Sequence, residues 1–501
     1  MEIKEALELF KKDNAVQQAY SHALGVLYYD QDTVAPKNSA AGFASTMGIM
    51  SEIMYKLQVS DEHIETVITL HDNLDQLDTI TRREVEEEYR SFNFMKNIPM
   101  DEYTAYSKLL AESQGIWQEE AKVTDNYALF EPYLAKLIEY TKKFAEYQNS
   151  GLSNYNFWLN EFERGISTEK LDNFFGKLKN AIVPLIREIK ERGRKIDTSF
   201  IEVPYSIPTQ KLFSDYLMKV MSINPDDCII GEVEHPFTTN YNKHDVRITT
   251  HYYENSVASS MYSVIHEGGH ALYELNTGDD LIGSPLAGGA SMGIHESQSR
   301  FFENLIGRSE AFIEYIFPKM KELFPEQLKK VSAHDFYLAV NRAEPSLIRT
   351  EADELTYCLH IMVRYDIEKQ LIDGSLTTKD IPAEWKRLYK EYLGVDVPSD
   401  REGALQDSHW SGGSFGYFPS YALGSAYGAQ ILYHMKKELD VDKLVSEGKI
   451  SDIVAWLTDK IYKYGRVMTP AEIIENACGE SFNPDYYIDY LTEKFRKIYE
   501  L

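Results

Sequence analysis

Thiols are scarce in this chain: Cys228, Cys358 and Cys478 are the only three among 501 residues, and none forms a C-x-x-C pair. A disulfide framework is therefore not expected. Long apolar runs are missing as well, none approaching the roughly 18 residues that cross a bilayer. Met1-Glu2-Ile3-Lys4-Glu5 opens an amphipathic helix, not a basic stretch followed by an apolar one, so no secretory signal is expected. Positive charge is in deficit, with 52 Lys and Arg against 79 Asp and Glu and a formal charge of −27. Such a surface repels a phosphate backbone or an anionic bilayer at long range. Together these absences speak against nucleic acid and membrane as partners and predict a cytoplasmic protein whose acidity serves solubility. No repeat, low-complexity tract or disordered linker interrupts the chain.

What is present is helical periodicity through nearly the whole length, enough to build a large core without staples. From Glu2 to about Tyr147 apolar residues recur at three and four, as in Ala6, Leu7, Leu9 and Phe10, which predicts several antiparallel helices. Ser167-Thr168-Glu169-Lys170 offers a hydroxyl cap before Leu171, Phe174, Phe175, Leu178, Ile182 and Leu185, predicting a helix that runs to Gly193. Thr469-Pro470 starts another. One stretch, Glu232 to Tyr253, breaks the rhythm. There Val246, Ile248, Thr250 and Tyr252 alternate with Arg247, Thr249 and His251 behind a turn-rich Asn240-Tyr241-Asn242-Lys243-His244, which predicts a hairpin strand and a small sheet. Residues 1–501 are expected to form a single, mainly helical unit, with two lobes around a groove.

Just after that sheet comes His266-Glu267-Gly268-Gly269-His270. Histidines one turn apart share a helix face, so both imidazoles can meet one ion at Zn–N distances of about 2.0–2.1 Å, with Glu267 beside it as a base for water. The competing reading is a pair of histidines bonded to neighbours on a polar helix face. The two glycines argue against it, because each costs a helix interior about 1 kcal/mol relative to alanine. Something needs the space they leave, and a close backbone contact is the usual cause. A catalytic zinc site takes a third protein ligand and leaves a fourth position open. Gly288 to Ser299 reads as a loop entering a helix, and Glu296 near its start is chosen as that ligand. His295 would project about 100° away and line the site or support a ligand. Glu274 and Glu303 are weaker candidates, Glu274 being more plausible as a surface or supporting carboxylate. Two imidazoles and a carboxylate also accept cobalt or manganese.

These residues resemble the M32 metallocarboxypeptidases of the carboxypeptidase Taq type, in several motifs that fall in order. His235-Pro236-Phe237-Thr238 looks like the HPF segment, and Asp245-Val246-Arg247-Ile248-Thr249 fits D-x-R-x-T. His266–His270 and His295-Glu296-Ser297-Gln298 match the metal motifs. Ile348-Arg349-Thr350-Glu351-Ala352-Asp353 is similar to I-R-x-x-A-D, and Gly403-Ala404-Leu405-Gln406-Asp407-Ser408-His409-Trp410 to G-x-x-Q-D-x-H-W. The resemblance implies a neurolysin-like zincin: a mainly α fold with a deep groove and a small sheet beside the zinc helix. It further implies zinc on His266, His270 and Glu296, Glu267 as base, removal of single carboxyl-terminal residues from peptides with broad specificity, and a homodimer. Tyr28-Tyr29-Asp30-Gln31 has tyrosine where the family usually has tryptophan before D-Q. Arg300-Phe301-Phe302 stands where leucine and tryptophan are common. Neither departure touches a metal position.

With that resemblance, His409 and the tyrosines Tyr417 and Tyr421 are the donors expected near the developing oxyanion, Tyr421 first. Ordinary groove packing is the competing role for these rings. An exopeptidase must also grip a free carboxylate, for which the Arg349 guanidinium is the candidate. Its alternative is an ion pair with Asp353 one turn on. Arg247, between Asp245 and Thr249, is expected to fix the strand first and touch substrate second. The runner-up functions are a zinc oligoendopeptidase of the same fold and, less favoured, a non-catalytic helical peptide binder with a structural zinc. Structural zinc sites are usually rich in cysteine, and the thiols here lie far in sequence from the histidines.

Overall fold

Helices α1 (Ile3–Thr33), α2 (Ala40–Gln58), α3 (Asp61–His71) and α4 (Thr79–Lys96) open the chain in a computed structural model that describes residues 1–501. Ser60 caps α3 through the His63 amide, and Asp78 caps α4 through the amides of Ile80 and Thr81. Ala6, Phe10, Val67, Leu70 and Val85 make a small core between these helices, separate from the main one. The expected series of helices before Tyr147 is thus present, ending with Tyr127–Tyr147.

The long helix Thr168–Arg192 starts at the Ser167 cap, stops at Gly193, and buries Leu171, Phe174, Phe175, Leu178, Ile182 and Leu185. Thr469 forms a capping box with Glu472 ahead of Pro470, which starts the helix Pro470–Cys478. All three cysteines are buried and unpaired. No helix is long and apolar enough to cross a membrane.

The alternating stretch forms β3 (Asp245–Thr250), which pairs antiparallel with β2 (Thr238–Asn242), as the hairpin reading requires. The strand ends at Thr250, so Tyr252 lies beyond the ladder. A third strand, β1 (Cys228–Glu232), was not anticipated; it pairs parallel with β3 and gives the order β1-β3-β2. Its Cys-Ile-Ile-Gly-Glu sequence lacks the alternation that betrays a half-buried strand.

Beside this sheet runs the histidine helix, Val257–Leu275, with 13 of its 19 residues buried. A Cβ on Gly269 would come within 2.6 Å of the Gln298 carbonyl oxygen and 2.7 Å of Ser299 Cα, backbone atoms that cannot swing aside. The contact that the two glycines foretell is therefore a crossing with the helix Met292–Arg300. Gly268 faces the Met221 thioether instead, its added Cβ falling 2.8 Å from Sδ. Gly269→Ala is accordingly expected to destabilise the protein by about 1–3 kcal/mol through overpacking. Gly268→Ala should be nearly neutral, because Met221 can move and alanine returns about 1 kcal/mol of helix propensity. Denaturant midpoints of the two variants check the contrast; equal midpoints would refute the helix-crossing account.

Candidate metal centre

His266 and His270 leave the histidine helix on one face, one turn apart. Glu296 reaches them from the neighbouring helix Met292–Arg300, whose amino end is capped by Ser291 accepting from the Ile294 amide. The His266 Nε2 to Glu296 Oε2 distance is 3.8 Å, and from His270 Nε2 to the same oxygen it is 3.6 Å. Donors about 2.0–2.1 Å from one tetrahedral ion stand roughly 3.3–3.5 Å apart. The set therefore fits a zinc-sized cation with an adjustment of a few tenths of an ångström. His266, His270 and Glu296 are also the group of metal-binding side chains that converges in this fold. Each imidazole keeps about a fifth of its side chain exposed, 20% and 17%, so one side of the site stays open.

The nitrogens turned away from this centre are occupied, which fixes the direction of the others. His266 Nδ1 lies 2.8 Å from Glu303 Oε2, and Glu303 is held in turn by Arg300 and Arg308. His270 Nδ1 meets His295 Nδ1, and His295 Nε2 lies 2.7 Å from Glu274 Oε1. With the His295 proton on Nε2 facing Glu274, its Nδ1 accepts from His270 Nδ1–H, and the His270 Nε2 lone pair is left for an ion. Burial, with His295 adding to it, pushes His270 down to about 3, the neutral form a ligand needs. Burial would lift the Glu296 carboxyl, but Arg300 and the two imidazoles hold it well below the usual carboxylate range. Glu303 and Glu274 thus stand behind the histidines. Glu274 is not at the surface: it is 5% exposed, and accepts from Asn240 and the Gly289 amide.

Glu267, also buried, points beside the cluster, and burial raises its carboxyl above the ordinary value. Thr238 Oγ1 donates to its Oε2 at 2.6 Å. Sequence reasoning missed this role of β2, in which Thr238 and Asn240 on one strand face support Glu267 and Glu274 on the helix. The alternation of β3 predicted the sheet but not which helix carboxylates its partner strand would meet. Also unforeseen was the widened π turn Phe301–Ile306, which carries Glu303.

A second group of residues lies beyond Glu296. Gly424 packs on the Glu296 side chain, where an added Cβ would sit 2.6 Å from Cγ, and Tyr421 is one turn earlier on the same helix, Phe418–Glu438. Arg300 bonds Glu296 Oε1 at 2.8 Å and stacks its guanidinium 4.2 Å above Tyr357, whose hydroxyl faces Arg349. Arg349 itself sits in a short 3-10 turn, not an α-helix, and the ion pair with Asp353 is absent. Asp353 accepts from the Leu355 and Thr356 amides, whereas Arg349 Nε and Nη2 hold Asp407 Oδ1 at 2.9 and 2.8 Å. Arg364 takes the other Asp407 oxygen.

His409 Nε2 stands 3.1 Å from the Tyr421 hydroxyl, and its ring stacks on Tyr417. Burial, reinforced by Arg349 and Arg364 against the pull of Asp407, pushes His409 down to about 4. Arg247 lies apart from both groups. It forms a bidentate pair with Asp245 at 2.9 and 3.0 Å and is sandwiched between Tyr29 and Tyr241, so what the geometry supports is its strand-fixing role. Of the residues singled out, His266, Glu267, His270 and Glu296 come together; His409, Tyr417, Tyr421 and Arg349 form the adjoining wall.

Comparison with known proteins gives a consistent result. A family model described as carboxypeptidase Taq (M32) metallopeptidase matches residues 9–495. The chain is similar to carboxypeptidase 1 of Bacillus subtilis (strain 168), at 41% identity over 499 residues and 99% of each chain. It is also similar to thermostable carboxypeptidase 1 of Pyrococcus furiosus, at 33% identity over 95% of this chain and 96% of that one. Its fold superposes on the crystal structure of the M32 carboxypeptidase from Deinococcus radiodurans R1 with a TM-score of 0.95, at 30% identity, covering 99% and 100% of the two chains.

Proposed function

Since the chain belongs to the carboxypeptidase Taq (M32) metallopeptidase family and is a metal-dependent carboxypeptidase, we propose that its ion is zinc, held by His266, His270 and Glu296, with Glu267 as the base. One observation carries this reading: both Nε2 atoms and a carboxylate oxygen converge while the opposite ring nitrogens are engaged by Glu303 and His295. Cobalt or manganese would fit the same donors. A divalent ion held there supplies the electrophile that polarises a peptide carbonyl and acidifies a water. Glu267 takes the proton of the attacking water on the carboxylate that Thr238 orients, then returns it to the leaving amine.

Tyr421 serves the developing oxyanion, and His409 decides whether it can. His409 Nδ1 is buried without a partner. A buried N–H without an acceptor costs more than a bare lone pair, so the proton belongs on Nε2, donating to the phenol oxygen and leaving the Tyr421 hydrogen free for substrate. Tyr417 stacks beneath to hold that ring. Arg349, anchored by Asp407 through one edge, offers its remaining N–H groups to the terminal carboxylate. Arg247 fixes the strand beneath the site.

The family resemblance supports a homodimer of single peptidase units, each of two lobes, acting on peptides in the cytoplasm; sedimentation of the purified protein tests the dimer. For the reaction itself, the zinc-loaded enzyme is given matched free-acid and amidated peptides. Free acids should be shortened one residue at a time and amides spared. Arg349→Gln should lower kcat/KM on free acids by roughly 10- to 100-fold, the range for hydrogen bonds to a charged group. Equal internal cleavage of both peptide forms would replace this reading with the oligoendopeptidase one.

A further inference from the structure

Against the negative charge of the whole chain, one cavity of about 330 Å³ has a positive lining. Helix α4 contributes Arg83, Glu87 and Arg90; Glu161 comes from the end of the helix Asn154–Phe162 and Arg164 from the turn after it, and Arg466 closes the opposite side. Four guanidinium groups thus face two carboxylates. Glu87 is shared by Arg83, Arg90 and Arg164, and Glu161 pairs with Arg90 at 2.6 Å. Arg83 also reaches Glu86 outside the lining. Arg466 has no carboxylate partner; its Nε donates to the Gly289 carbonyl at 3.2 Å. The excess is felt by neighbours: burial lowers Arg164, and Arg90 and Arg83 add to this against the pull of Glu87.

The cavity adjoins the metal centre on a definite side. His295, which lines it, is the residue bonded to His270. The chain of contacts from Glu296 through Arg300 and Tyr357 to Arg349 leads away on the Glu296 side. If Arg349 receives the carboxyl terminus, the cavity receives what precedes the scissile bond. Phe162, also in its lining, packs edge-on against Tyr417.

We propose that this cavity is a subsite for an acidic side chain of the peptide, on the amino-terminal side of the scissile bond, with Arg466 as its free cationic partner. The inference rests on Arg349 marking the carboxyl-terminal end. A carboxylate matches the planar guanidinium fork, and since Arg83, Arg90 and Arg164 already have carboxylate partners, the charge a peptide anion would neutralise is that of Arg466. Being partly open to solvent, such a pair contributes modestly, and its effect falls as salt rises.

The test uses the zinc-loaded enzyme and neutral free-acid peptides in which one upstream residue at a time is Glu or Gln. At one position the Glu peptide should exceed the Gln peptide in kcat/KM by about fivefold, through KM, with the ratio falling as salt is added. Arg466→Gln should bring that ratio close to one, and Arg466→Lys should restore most of it. Should Arg466→Gln fold poorly, Arg90→Gln is expected to lower the ratio as well. A purely structural charge network would change both peptides equally and leave the ratio untouched. A ratio at or below one at every position, or one indifferent to these substitutions, overturns the subsite. If amides are still spared in that case, the exopeptidase reading survives its failure.

Discussion

Glu267→Gln is expected to lower kcat by about 10²- to 10⁴-fold while leaving the metal content of the protein unchanged. The magnitude is that of a positioned general base. Size and shape are conserved, the amide oxygen can still accept from Thr238, and no metal donor is removed, since those belong to His266, His270 and Glu296. What is lost is the ability to take a proton from water. His266→Ala should by contrast lose ion and hydrolysis together, because it deletes one donor and leaves Glu303 facing an empty space behind it. Elemental analysis beside single-turnover rates separates the cases. Unimpaired hydrolysis by the glutamine variant would remove Glu267 from the mechanism, whatever its metal content.

Those residues could be read from the sequence because their arrangement is local. Two histidines one turn apart on a buried helix share a face whatever surrounds them, and a serine or threonine ahead of apolar periodicity, as at Ser167 or Thr469-Pro470, caps a helix in nearly any context. The strand β3 was legible for the same reason, its side chains alternating by period two. Legibility fails where a partner is distant along the chain. The alternative role for Arg349, an ion pair with Asp353, presumed an α-helix, but the segment Arg349–Glu351 does not continue as one, and Asp407 takes the guanidinium from the G-x-x-Q-D-x-H-W segment. Likewise the sequence left Glu274 between a surface carboxylate and a supporting one. Only the fold brings Asn240, Gly289 and His295 around it. Strand β1 carries no alternation to read, and its parallel pairing needs the intervening hairpin to be in place.

Asp407 provides the other large expected effect, and on stability first. Its Oδ2 accepts from Arg364 Nε and Nη2 at 2.8 and 2.6 Å, and its Oδ1 from Arg349 at 2.9 and 2.8 Å. The two arginine side chains are only 0% and 9% exposed, so solvent is a poor substitute for the Asp407 charge between them. Asp407→Asn keeps the shape but removes the charge between two buried cations, and should destabilise the protein by about 3–5 kcal/mol near neutral pH. The pH dependence follows from the direction of the shift. Burial would raise the Asp407 carboxyl, but Arg364 and Arg349 hold it well below its ordinary value. A carboxyl lowered on folding stabilises fully above its unfolded value of about 3.9 and loses that contribution as pH falls through the lower folded value. The gap between wild type and Asp407→Asn should therefore be widest near neutrality and narrow in acid below about pH 4. Urea titrations from pH 7 downwards check both statements. Because Arg349 would lose its anchor, KM for free-acid peptides should rise in the same variant under conditions where it remains folded. A variant as stable as wild type at pH 7, with unchanged KM, would show that Asp407 neither neutralises the arginine pair nor aims Arg349 at the peptide terminus.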